Sequence, residues 1–375
     1  MRIVIAYALA GIGHKKAAEA LHVACAQAHH ETHLIDALDR CTPGMRWLYP
    51  RLYLWLIART PLCWGWGYAC TDAQWLRWPL AWLRRLGNGL AANDCERWFI
   101  QMQPDVLVVT HFLPAEIASS LKRRGRLRAK LVIVVTDFHP HAFWIVPSAD
   151  LYAVASETTR AALMARGVAA DRIVITGIPV DARFASLPSS TTARAQLGLA
   201  LDRPVITITG GGFGVGPMAR IVETVVRSTD VADAHAQVAV VCGRNPTLTH
   251  AMERLAQTSV VPLRVFGFLN QMPALMAASD ILVAKPGGLT VSEALAAGTP
   301  MILYGAIPGQ ETHNEHVLIT HGAAVSARTP AAIHQTIVTW LRQPDELLRY
   351  RGAMRPLAHP DAAAQIVRHV VGVSA

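Results

Sequence analysis

A chain of 375 residues exceeds the size at which one hydrophobic core stays efficient, so two domains are expected. Apolar residues make up 52% of it and charged residues 16%, and the mean hydropathy of +0.28 leaves enough apolar character for large cores and for some exposed apolar surface. A formal charge of +9 favours an anionic partner; with no aromatic-plus-basic RNA motif and no zinc-finger spacing, nucleic acid is set aside and a membrane surface is preferred.

In chain order, the N-terminal run at residues 1–10 has one basic residue and leads into a glycine turn, so it reads as a first buried strand rather than a signal peptide. Strand-like runs follow at 3–9, 32–35, 106–110, 131–136, 151–155 and 173–176, with a helical pattern over 15–28. A second series lies at 205–209, 238–242, 263–266, 281–284 and 301–304, closing in helices. Such alternation predicts an α/β protein with parallel sheets covered on both faces. Gly177 to Pro188, with two prolines, reads as an interdomain linker. The expected domains are residues 1–180, 181–350 and a C-terminal helix over 351–375. No uninterrupted apolar run reaches the roughly 18 to 20 residues of a membrane span. The cysteines at 25, 41, 63, 70, 95 and 242 form no CxxC pair and read as reduced thiols of a cytoplasmic chain.

One segment breaks the alternation. Residues 46–98 hold eight of the ten tryptophans, with Tyr49, Tyr53 and Tyr68 and a surplus of arginine over acid. Trp75, Trp78, Trp82 and Leu86 fall on one helical stripe while Arg77, Arg84 and Arg85 lie off it, the profile of a helix lying in a membrane interface. Lys122-Arg-Arg-Gly-Arg-Leu-Arg-Ala-Lys130 is a second basic run, suited to anionic headgroups.

Three glycine turns carry the chemistry. Lys285-Pro-Gly-Gly-Leu-Thr-Val-Ser-Glu293 follows an apolar run and enters a helical pattern, which puts backbone N–H groups and a positive dipole end where an anion can sit. Thr290 and Glu293 also have the spacing of a capping box. Gly210-Gly-Gly-Phe-Gly-Val-Gly216 has the same strand-to-helix setting, in which amides approach a phosphate without Cβ obstruction. By itself it reads as a dinucleotide fingerprint; its place in the second half and the separate motif at 285–293 argue against NAD. Gly11-Ile-Gly-His14 closes the first strand at the carboxyl edge, where open α/β sheets hold ligands.

The stretch from Asp280 to Gly309, with Gln310, Glu311 and Asn314, resembles the nucleotide-sugar site of the MurG-like (family 28) glycosyltransferases. Within them it resembles the glycolipid branch, the monogalactosyldiacylglycerol synthases and processive diacylglycerol glucosyltransferases. The Gly11 turn, Thr136-Asp-Phe-His-Pro-His141 with Trp144, Thr176-Gly-Ile-Pro-Val180, Gly210 to Pro217 and Phe266-Gly-Phe268 match in the family's order. The resemblance implies a GT-B fold, two Rossmann-like doubly wound domains facing a central cleft. It places Glu293 on the ribose hydroxyls, the backbone near Phe268 at uracil, and Thr290 near the phosphates with Gly211, Gly212, Gly214, Gly287 and Gly288. Gln310 and Glu311 then match positions that hold sugar hydroxyls.

On the acceptor side a base must take a hydroxyl proton. His14, after Gly13, is the first candidate, with an imidazole able to titrate near neutral pH; Asp137, working with His141, is its rival. His139 and His141 form an HxH pair without an identifiable third metal ligand, and no Asp-x-Asp occurs, so no metal cofactor is expected. The expected function is an inverting transfer of a hexose, galactose before glucose, from a UDP-sugar to diacylglycerol. The expected place is the cytoplasmic face of the cell membrane, bound peripherally through anionic lipids. The alternatives are a MurG-type transferase with a polyprenyl-linked acceptor, a UDP-GlcNAc 2-epimerase, and a silent lipid- or nucleotide-binding module.

Overall fold

The computed structural model describes residues 1–9, 11–73, 92–214 and 216–372. The expected interfacial helix with Trp75, Trp78, Trp82, Arg84 and Arg85 lies outside the described residues. Two compact units emerge, one of Met1–Ala182, Ile307–His313 and Asp361–Ala375, the other of Arg183–Ala306 and Asn314–Pro360.

The first unit is built on strands β1 (Arg2–Tyr7), β2 (Glu31–Asp36), β3 (Val106–Val109), β4 (Lys130–Val134), β5 (Leu151–Val154) and β6 (Ile173–Ile175). They form one sheet in the order β2-β1-β3-β4-β5-β6, and every pair is parallel. Because helices cover both faces, the strands read as continuous Val/Ile/Leu runs. Val4, Leu107, Val109, Leu131 and Ile133 go to one core with Phe99, Leu113 and Ile117. Ile3, Ile5, Val106, Val108, Val132 and Val134 go to the other with Leu21, Ile366 and Val367. Leu21 belongs to α1 (Ile12–Gln27), and the last two to the helix Ala362–Val371. Lys130 Nζ donates to the carbonyls of His369 and Val370 at 3.1 and 3.2 Å, a cation on a helix C-terminus.

Two further helices, α2 (Pro43–Arg59) and α3 (Pro61–Asp72), join as a hairpin through Thr60. The basic run at 122–130 is partly spent inside the protein: Lys122 pairs with Asp150, Arg124 with Glu96, and Lys130 with the terminal helix.

The second unit carries β7 (Val205–Thr209), β8 (Gln237–Val241), β9 (Leu263–Phe266), β10 (Ile281–Ala284), β11 (Met301–Leu303) and β12 (Ala324–Ser326). Its sheet runs β12-β11-β10-β7-β8-β9, again parallel throughout. Strand β12 has no counterpart in the sequence expectations, since three residues are too short to show a period. Thr290 and Glu293 do not form the capping box that their spacing suggests: the helix Gly288–Ala297 starts earlier, with Gly287 at its N-cap.

Arg194 ties one edge of this unit. It is buried, and its guanidinium donates to the carbonyls of Ala278 and Leu201 and to Asp280 Oδ2 at 3.1, 2.8 and 2.7 Å. The same carboxylate oxygen accepts from the Val205 N–H at the start of β7. Arg194→Leu leaves two carbonyls and a carboxylate short of donors, and is expected to cost roughly 3 kcal/mol, read as a lower urea midpoint.

Candidate active site

Each sheet has one place where neighbouring strands send their crossovers to opposite sides. In the first unit this falls between β1 and β3, in the second between β7 and β10. Ligands of open α/β sheets bind outside the carboxyl ends of the strands at such points.

At the first switch point stand the turn after β1 and residues Thr110 and His111 after β3. Gly11 is the N-cap of α1, which puts His14 in its first turn. The His14 Nδ1 lies 2.7 Å from the Thr110 carbonyl and 2.9 Å from the Thr136 hydroxyl, and Thr110 Oγ1 donates back to the His14 carbonyl at 2.9 Å. A carbonyl only accepts, so Nδ1 carries the proton and Nε2 keeps a lone pair. Burial pushes the imidazole pKa down to about 4, against a smaller upward pull from the Thr110 carbonyl. The group therefore does not titrate near neutral pH; it stays neutral there.

His111 packs edge-on against His14 with ring centres 4.7 Å apart. Its Nδ1 accepts from the Leu113 N–H at 3.1 Å, capping the helix Phe112–Arg123, so its own proton is on Nε2. Burial, and then the neighbouring His14, hold its pKa well below the ordinary value.

A cavity of about 380 Å³ opens over these histidines. His14, Asp137, His141 and Gln310 all line it, so four of the sequence-derived site residues meet at one place in the first unit. The remaining wall is aromatic: Tyr49 and Tyr53 from α2, Trp64 and Tyr68 from α3, with Phe143 and Trp144. Trp64 packs edge-on against Tyr53 at 5.2 Å, and its buried indole N–H has no acceptor among the described residues. Gly13 sits in α1 beside His14, outside the cavity lining.

His141 holds the roof down. Its Nδ1 accepts from the Phe143 N–H, and Nε2 donates toward the Tyr68 carbonyl at 3.2 Å. Both ring nitrogens are thereby spent on backbone, which gives it a bracing part beside Asp137. Asp72, the last residue of α3, accepts both arms of Arg166 at 2.6 and 2.7 Å and the Ala142 N–H at 2.7 Å. Burial alone would raise its pKa, but Arg166 and then His139 hold the carboxyl well below the usual range. Neither Asp72 nor Arg166 carries a sequence motif, so nothing short of the fold reveals this pair.

The second switch point gathers the other two turns. β7 and β10 pair with Thr209 opposite Ala284, so Gly210 and Lys285 leave the sheet side by side. The turn after β7 needs its glycines: Gly214 has φ +58°, and a Cβ there would lie 2.2 Å from the Cys242 carbonyl oxygen. The Gly214 N–H donates to Gly211 O, and Arg244 N–H to Gly212 O. Gly287 offers no side-chain cap to the helix Gly288–Ala297, so the first-turn amides beside Thr290 suit an anion. Glu293 is half-buried one turn later. Phe268 is at the surface after β9, with the Arg244 guanidinium 4.8 Å over its ring. Glu311 belongs with the first unit, where its Oε2 accepts from the Ile307 N–H at 2.8 Å.

Acidification should act through the partly buried His14. In the unfolded chain His14 protonates near its ordinary 6.5, in the folded state only near 4, so between these values the unfolded state binds more protons. Its contribution, about 3 kcal/mol, is expected to be present above pH 6.5 and lost as pH falls toward 4. Unfolding midpoints across pH 7.5 to 4.5 check this, with a flatter profile expected for His14→Gln.

Comparison with known proteins follows the same division. Residues 14–180 match the family model of monogalactosyldiacylglycerol (MGDG) synthase, and residues 205–337 that of the glycosyltransferase family 28 C-terminal domain. The chain is 32% identical over 265 residues to a processive diacylglycerol beta-glucosyltransferase of Bacillus cytotoxicus, covering 71% of this chain and 67% of that one. It is 30% identical over 266 residues to one of Bacillus cereus, with the same coverage. Among solved structures, MurG of Acinetobacter baumannii superposes with a TM-score of 0.62 at 16% identity over 99% of both chains. UDP-GlcNAc 2-epimerase of Neisseria meningitidis gives 0.63 at 13% identity over 99% of this chain and 100% of that one. At these identities the likeness is one of fold, the GT-B fold.

Proposed function

Because the chain belongs to the MurG-like family 28 glycosyltransferases, in the branch of the monogalactosyldiacylglycerol synthases and processive diacylglycerol glucosyltransferases, and is a glycosyltransferase, we propose that it moves a hexose from a UDP-sugar to diacylglycerol with inversion. The observation that carries the acceptor is the apolar, aromatic cavity lined by His14, whose Nε2 has no partner among the described residues. About 380 Å³ is at the small end of ligand pockets, enough for a glycerol head and its first carbons but not two acyl chains. The buried N–H of Trp64, without an acceptor among the described residues, is a donor that an ester carbonyl would satisfy.

On this reading Nε2 takes the proton of the attacking hydroxyl as its oxygen bonds to C1 of the hexose and UDP departs from the opposite face. A base of pKa about 4 suffices, because the hydroxyl proton grows acidic as its oxygen gives up electrons to C1. Asp137 in the same cavity stabilises the positive charge that then appears on the ring. Uracil goes to the backbone near Phe268, ribose to Glu293, and the diphosphate to the glycine turn at 211–214 and the first amides of the helix at Gly288, near Thr290. Gln310 and Glu311 read the hexose hydroxyls. No metal takes part in this scheme, on the sequence's lack of an Asp-x-Asp clamp. Galactose comes before glucose through the turn at Gly210 to Pro217.

The described residues contain no helix long and apolar enough to cross a membrane. The α2–α3 hairpin instead exposes Trp47, Leu48, Leu52, Trp55, Leu62 and Trp66, with Leu62 at 81% and Trp66 at 75%. Beside them Arg51 lies over the Trp47 ring at 4.6 Å. Large apolar side chains with interleaved arginines suit the interface of an anionic bilayer. We therefore read the protein as peripheral on the cytoplasmic face, with the acceptor entering beneath the hairpin.

Incubation with diacylglycerol vesicles and a panel of UDP-sugars tests the reaction, with the lipid product identified by mass and its anomer by NMR. A free UDP-sugar epimerised without lipid product would overturn it. His14→Ala is expected to cut turnover by ~10² to 10⁴ with the fold intact. Wild-type kcat/KM should stay level from pH 8 to about 5 and fall only toward the His14 pKa of about 4. Replacing Trp47, Trp55 and Trp66 with serine should release the protein from anionic vesicles in flotation assays, while its affinity for UDP in calorimetry stays unchanged.

A further inference from the structure

The turn that carries Gln310 is fitted to the aromatic hairpin. Gly309 has φ +100°, and a Cβ there would lie 2.7 to 3.0 Å from three carbons of the Tyr68 ring. On the facing side, a Cβ on Gly65 of α3 would lie 2.5 Å from the Pro308 Cβ. Two glycines, one on each surface, thus let the backbone of the turn lie on the Tyr68 ring and the backbone of α3 on the Pro308 side chain. The turn is also braced from within: Glu311 accepts from the Ile307 N–H, and the Gly309 N–H donates to Thr312 Oγ1 at 3.2 Å. Farther on, His313 stacks on His139 at 4.2 Å.

Out of this fixed turn the Gln310 side chain reaches the cavity, where its Nε2 donates to the Tyr53 hydroxyl at 3.2 Å. Burial, and then the carboxylates of Glu311 and Asp137, push the Tyr53 phenol pKa up, so the hydroxyl stays intact as the amide's acceptor. This bond uses one amide hydrogen and fixes the plane of the amide, so the Gln310 carbonyl oxygen and the second hydrogen each keep one place in the cavity.

We propose that Tyr53 is a positioning residue for Gln310, fixing its amide so that the carbonyl oxygen meets one hydroxyl of the donor hexose, and that hexose choice is thereby set from α2. This rests on the reading of Gln310 as a sugar-binding residue given above. It joins the aromatic hairpin to the donor as well as to the lipid. Glucose and galactose differ only in the direction of the C4 hydroxyl, and a glutamine free to turn over offers a donor or an acceptor indifferently. Pinned by Tyr53, it presents the acceptor and the remaining hydrogen each in one direction only.

Tyr53→Phe removes the hydroxyl and keeps the ring against Trp64. Calorimetry with UDP, UDP-glucose and UDP-galactose on the wild type, Tyr53→Phe, Gln310→Ala and the double variant tests the proposal without requiring lipid transfer. UDP affinity is expected to be the same in all four. The ratio of UDP-galactose to UDP-glucose affinity should change by about 3- to 10-fold in Tyr53→Phe, and the change should vanish in the Gln310→Ala background. Gly309→Ala, which forces the turn off the Tyr68 ring, should move the same ratio. An unchanged ratio in folded Tyr53→Phe overturns the proposal, as does a shift of equal size without Gln310, or wild-type binding of UDP-hexoses no different from UDP. A wild type that binds both UDP-hexoses but glycosylates no diacylglycerol overturns the function proposed above and leaves this test standing.

Discussion

Two adjacent parallel strands whose crossovers depart to opposite faces cannot fill the space beyond their carboxyl ends, and the loops that leave them part there. Each unit has one such pair, β1 with β3 and β7 with β10. The consequences for sequence are specific. A glycine turn follows β1, β7 and β10 alike, and a helix start follows each turn. Backbone dipoles and small residues collect where a ligand can enter, while the Val/Ile/Leu strands behind them supply a base that does not move.

The α2–α3 hairpin poses the opposite problem, since no residue of α3 is fully buried and its two sides are both apolar. Apolar contact alone gives it no direction. Polar pins add one: Arg166 with both arms on Asp72, the Ala142 N–H on the same carboxylate, and His141 on the Tyr68 carbonyl. A charged bidentate pair is directional where apolar contact is not. That leaves one apolar side for the cavity and the other exposed, the two faces that the proposed lipid acceptor would need.

Much of this was legible in the sequence. Period and run length gave the strands, because both sheets are buried on both sides, and the glycine turns fell at the places where the crossovers part. β12 escaped because three residues make no period, and the capping box at Thr290 and Glu293 was a coincidence of spacing: the glycine at 287 already starts the helix. The cation run at 122–130 looked like a surface feature, yet three of its charges serve Asp150, Glu96 and the terminal helix, partners far away in sequence. Tyr53 and Tyr68 appeared only as members of an aromatic cluster. Their parts depend on a loop more than two hundred residues later, and no local pattern carries that.

His14 shows why its environment matters more than its type. A histidine invites the expectation of a base poised near neutrality, but the Thr110 carbonyl fixes its tautomer and burial drops its pKa to about 4. The first comes from the residue that follows β3, the second from the rings of His111 and Trp144 packed around the imidazole. If His14 is the base, as proposed, excluding water weakens it, yet also removes the competing nucleophile that would hydrolyse an activated sugar. On that reading a transferase tolerates the first effect better than the second: a weak base still accepts a proton that the attack itself makes acidic, whereas a water molecule beside C1 would waste the donor at every turnover.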